Sequence, residues 1–211
     1  MNTQFRLALI ALVGAVAVAV LTFPLWIPFF VNREVDEGFP GLSPAEQQAF
    51  SALPDDQQDA LMEMTDEDPL AALAFARAAI TGPQVVAPDQ QPMPDTADQP
   101  LVLSTGDFIR IDALHNGSGT VSIYQLPDDT RFLRFEGFSV TNGPELHVLL
   151  SRHPDPRTRE EVGSDYIDLG FLKGNIGDQN YDLPAGVDLS QYNSVVIYCL
   201  PFHVVFSTAT L

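Results

Sequence analysis

The hydrophobic pattern divides the chain into stretches of different period. The first is a charge-free apolar run of 25 residues, Leu7 to Val31, preceded by Arg6. As a helix rising about 1.5 Å per residue it is roughly 37 Å long, against about 30 Å of hydrocarbon in a bilayer. Pro24 and Pro28 are expected to bend or end it, with Leu7 to Phe23 nearly spanning alone and Trp26 at the level of an aromatic belt. A cleaved signal peptide would use such a run differently. Bulky Phe23, Pro24, Leu25 and Trp26 leave no small-x-small cleavage site, and no cysteine follows for lipid attachment. An uncleaved single-pass anchor over residues 1–33 is therefore expected, with residues 7–31 as its membrane contact. Arg6 and the amino terminus precede the run, and Glu34, Asp36 and Glu37 follow Arg33. The positive-inside rule then places the N-terminus in the cytoplasm and the rest of the chain outside.

Helical periodicity returns in three short pieces. Ser43-Pro44-Ala45-Glu46 has capping-box spacing with proline at the first helical position. A second helix starts near Asp55 and carries Leu61 and Met64; a third starts at Asp68-Pro69, carries Leu70, Leu73, Phe75 and Ile80, and stops at Gly82-Pro83. Short helices bury little surface alone, so residues 34–82 read as a stalk that needs the head, the membrane surface or a partner to pack on. Residues 83–103 are rich in proline and glutamine and read as an extended linker.

From Leu101 the period changes to two. Phe108 to Asp112, Thr120 to Tyr124, Arg131 to Phe138, Glu145 to Ser151, Tyr166 to Leu172, Gln179 to Leu183, Ser194 to Leu200 and His203 to Thr208 are strand candidates separated by turn residues. About eight strands at this spacing predict a mainly β fold, an antiparallel β-sandwich or small barrel, over residues 104–211. In the third of them Phe132 and Phe138 are expected on one face and Phe135 on the other.

Charge sharpens this division. Residues 34–100 hold fourteen acids and one base, Arg77, whereas residues 101–211 hold fourteen acids and seven bases. The net charge of −18 argues against nucleic acid and anionic lipid surfaces as partners. One cysteine excludes an internal disulfide and a four-cysteine zinc module.

Order and spacing of short motifs give the head a relation. They are Gly106-Asp107-Phe108, Gly119-Thr120-Val121 with Ile123-Tyr124, and Asn142-Gly143-Pro144-Glu145-Leu146-His147-Val148. Asp168-Leu169-Gly170-Phe171-Leu172-Lys173-Gly174, Gly177-Asp178-Gln179-Asn180-Tyr181 and Leu183-Pro184 follow, then Tyr192 through Cys199, Phe202-His203-Val204 and Ala209-Thr210-Leu211. In these the chain resembles the DM-thirteen domain family, often labelled an electron-transfer domain. The resemblance covers about Ser104 to Leu211 and implies a β-sandwich-like module whose cysteine, here Cys199, has been given a redox role. Anchor and stalk lie outside it.

The residues themselves support two roles for Cys199. A free cysteine on an alternating strand, sharing a face with Val195 and Ile197, is ordinarily a small buried hydrophobe. Outside the cytoplasm a lone thiol also oxidises, pairs between chains or binds metal, provided a neighbouring cation lowers its pKa. His203 lies four residues on. Together with His147 it would complete a cupredoxin-like set of two imidazoles and a thiolate for copper or another metal, although no methionine follows Cys199 to serve as axial ligand. Structural roles for both histidines are the alternative, and His115 and His153 receive none. Gly170, Gly174 and Gly177 lack the strand-to-helix setting of a phosphate loop. Asp128-Asp129 and Glu160-Glu161 read as solvated pairs, and no nucleophile elbow or zinc-protease motif occurs. A non-enzymatic binding or interaction module, with a protein as the candidate partner, is therefore expected; the alternative is a redox module using Cys199, with the cofactor unknown.

Overall fold

The computed structural model describes residues 2–26, 38–81, 92–93 and 99–211. It falls into two compact units, Met1–Gly38 and Phe39–Leu211. The first contains α1 (Thr3–Trp26), whose stretch Thr3–Phe23 is long and apolar enough to cross a membrane. Pro24 lies in the last turn of α1. The expectations placed on Pro28, Arg33, the acids that follow it, the Gly82-Pro83 stop and most of the linker fall outside the described residues.

The second unit begins with α2 (Pro44–Phe50), α3 (Asp55–Glu67) and α4 (Pro69–Thr81). The capping box forms as the sequence requires: Ser43 N donates to Glu46 Oε2 at 2.7 Å, and Glu46 N donates to Ser43 Oγ at 3.4 Å. Asp68 caps α4 by accepting from the backbone N–H groups of Leu70 and Ala71. Of the three surfaces on which these helices could pack, the head is the one they use. Leu61, Ala72, Phe75 and Ala76 belong to the same buried cluster as Phe135, Val148, Ile197 and Phe206 of the β region. Phe75 is the wedge, with its ring 5.7 Å from Phe206, 5.5 Å from Phe202 and 5.6 Å from His115. Packing on the head thus supplies the burial that short helices cannot generate alone.

The β region is a sandwich of nine strands: β1 (Leu101–Asp107), β2 (Ile109–Arg110), β3 (Gly117–Gln125), β4 (Arg131–Val140), β5 (Leu146–Ser151), β6 (Ile167–Phe171), β7 (Gln179–Asp182), β8 (Ser194–Cys199) and β9 (Val204–Thr210). One sheet has the order β1-β3-β4-β7 and the other β2-β9-β8-β5-β6, and every pairing is antiparallel. β1 starts at Leu101, inside the stretch read as linker. The expected strand at 108–112 divides instead, because the chain changes sheets at Phe108, whose buried ring contacts Phe135 at 4.9 Å and Phe138 at 5.0 Å.

Side-chain parity in β4 differs from the alternation expected. Phe135 and Phe138 both lie in the core, 4.8 Å apart, while Phe132 stacks on Tyr124 at 5.3 Å. The register explains it. Ser118 pairs with Ser139 but Thr120 pairs with Glu136, so Gly137 and Phe138 together face Gly119. That extra residue is a β-bulge, and Gly137 at φ 57° and Gly119 at φ 103° supply the backbone conformations it needs.

Candidate functional site

Cys199 is the last residue of β8 and is fully buried, on the inner face with Val195 and Ile197. Its Sγ donates to the carbonyl oxygen of Pro144 at 3.0 Å. Burial pushes the thiol up to about 11, opposed in part by a backbone hydrogen bond from Phe202 and reinforced by the charge of Glu145. A reactive thiol needs the reverse, a cation or helix terminus that lowers its pKa and some access to solvent. At neutral pH Cys199 is therefore a protonated packing group.

The two histidines do not join it. In the β5–β8 register Leu146 lies opposite Cys199 and His147 lies opposite Tyr198. Successive side chains of a strand alternate between faces, so His147 and Tyr198 project from the sheet on the side away from the thiol. The His147 ring rests 4.3 Å from Phe171, and its Nδ1 is 2.9 Å from Asp168 Oδ2. His203 occupies the β8–β9 turn at φ 57°, exposed, with its ring 6.2 Å from Tyr198. Among the described residues no three His, Cys, Asp or Glu side chains converge to hold a metal ion. The donor set read from sequence (His147, Cys199 and His203) thus does not fit copper: the sheet separates the thiol from the His147 imidazole, and the His203 ring is exposed in the turn.

His115 is the residue that sequence passed over. It is 6 % exposed, its Nδ1 lies 2.7 Å from Asp112 Oδ2, and its ring meets Phe206 at 4.6 Å. The Asp112-x-x-His115 spacing was the available signal; the covering ring of Phe75, from a distant helix, was not visible. His153 has a local role, with Nδ1 accepting from Asp155 N. Glu160-Glu161 opens a short helix, α5 (Arg159–Val162), capped by Thr158. Gly170, at φ 99°, sits in β6 rather than before a helix.

What these strands define is an antiparallel sandwich domain with one free thiol sealed between its sheets. Residues 108–211 match the model of the family described as Electron transfer DM13, and the β domain belongs to that family. No curated protein and no solved structure matches the chain.

Proposed function

We propose that the chain is a membrane-anchored protein whose head lies outside the cytoplasm and acts as a binding or interaction module without catalytic turnover. One observation carries this reading: the sole thiol is buried and protonated, on the opposite sheet face from His147, while His203 is exposed in the β8–β9 turn. The anchor and its orientation rest on the apolar α1, on Arg6 before the run and on the acids after it.

The description of the matched family favours a second reading, electron transfer through the head. In this chain that role needs a centre other than a thiolate–imidazole metal site. Full-length protein purified from the membrane fraction decides between the two by its visible spectrum and metal content. The interaction module predicts no visible band and substoichiometric metal in wild type and in Cys199→Ser alike. A visible band or stoichiometric metal in the wild type would establish the redox reading, and its loss in Cys199→Ser would place the centre at the thiol. In the same cells, external protease should remove the head and spare a cytoplasmic N-terminal tag; release of a shortened soluble chain would make residues 1–33 a signal peptide.

A further inference from the structure

Two of the motif segments, Asn142 to Val148 and Asp168 to Gly174, meet at one end of the second sheet. Phe171 pairs with His147 in the β5–β6 register, and Leu172 N donates to the Leu146 carbonyl at 2.8 Å. Between the segments lies an open groove of about 260 Å³, lined in part by Glu145, Phe171 and Lys173. Phe171 is presented rather than packed. It is 64 % exposed, with its ring leaning on His147, which Asp168 holds through Nδ1. Glu145 is exposed too, at φ 44°, a left-handed conformation that is costly for a residue with a side chain. Its backbone is pinned there: Leu200 N donates to its carbonyl at 3.3 Å, and Cys199 Sγ donates to that of Pro144. The Glu145 carboxylate makes no hydrogen bond or ion pair among the described residues. Lys173 is engaged elsewhere, its Nζ donating to the Asn180 carbonyl at 2.5 Å and lying 5.0 Å from the centre of the Tyr181 ring.

We propose that this groove receives an arginine side chain of a basic partner protein, its guanidinium stacking on Phe171 and donating to the Glu145 carboxylate. An exposed ring alone would take any apolar group, and an exposed carboxylate alone any cation. Side by side they select a group that is planar, cationic and a donor, which is what a guanidinium is. The charge of the chain agrees. Residues 101–211 hold fourteen acids and seven bases in a chain of net −18, a field that draws basic partners in and turns acidic ones away. This proposal rests on the interaction role proposed above and gives that partner its chemistry. A head free of metal and visible bands that ignores arginine would keep the interaction role and lose this site.

The test uses the full chain in nanodiscs of zwitterionic lipid, with the Leu172 methyl resonances in the groove followed during titration. The probe is the acetylated peptide Gly-Ser-Arg-Leu-Arg-Ser-Gly, and its control carries citrulline, the same shape without the charge, in place of both arginines. Salt at about 0.15 M screens attraction to the rest of the chain. The arginine peptide should shift the methyls saturably, and the citrulline peptide should bind about tenfold more weakly. Glu145→Gln and Phe171→Leu, both at exposed positions, should each weaken the arginine peptide about threefold or more. Glu160→Gln, an equal loss of charge on α5, should leave its affinity unchanged. Absence of saturable shifts, equal affinity for the two peptides, or Glu160→Gln matching the effect of Glu145→Gln would each overturn the proposal. So would undiminished binding in Phe171→Leu.

Discussion

Phe75→Ala should lower the unfolding free energy of residues 38–211 by about 3–5 kcal/mol, the range for deleting a buried phenylalanine ring. Phe75 is 4 % exposed and contacts Phe202, Phe206 and His115, so its removal opens a void between α4 and the sandwich that neither layer can fill. Denaturant titration followed separately by helical and by aromatic signals measures the effect. Both transitions should move together, because the helices and sheets share one core. A shift of the helical signal alone, with the sandwich unmoved, would show that the helices do not share its core. The same core predicts that a fragment starting near Leu101 is less stable than one starting at residue 38, because it exposes the Phe206 face that Phe75 covers.

Gly106→Ala should cost about 3 kcal/mol, the upper end of what overpacking does, although only one methyl is added. Gly106 sits in β1, where a Cβ would run into the carbonyl oxygen of Thr210 at the end of β9. The obstacle is backbone, so no side-chain rotation relieves it, and β1 must move away from the second sheet. Chemical denaturation of wild type and variant measures the difference. A loss below about 1 kcal/mol would show that β1 and β9 approach less closely than described. This gives the Gly106-Asp107-Phe108 motif a packing reason: glycine allows the approach, and Phe108 then fills the space between the sheets.

Local chemistry was legible in the sequence. The Ser43 capping box, the start of α4 after Asp68 and the strand-and-turn rhythm after Leu101 each depend on neighbours within a few residues, and each is found. What depended on distant partners was not. Leu61 and Phe75 marked an apolar helix face, but nothing local says that the face is covered by Phe206, more than a hundred residues away. The bulge at Gly137 was hidden for a related reason, since a glycine in a strand announces an irregularity without fixing which neighbour changes sides. The candidate site suffered most. Cys199 was correctly placed on the Val195–Ile197 face. Whether His147 shares that face depends on the β5–β8 register, and a slip of one residue would reverse the answer.

The claim on which the functional account turns is that Cys199 is a sealed packing residue. Thiol labelling of the folded full-length protein at neutral pH tests it most directly. Buried on the inner face with its pKa raised to about 11, the thiol should label no faster than the protein globally unfolds. Its labelling rate should then rise with denaturant in step with the unfolding rate. Rapid labelling of the native protein, independent of denaturant, would contradict the account and make Cys199 the reactive centre of the head.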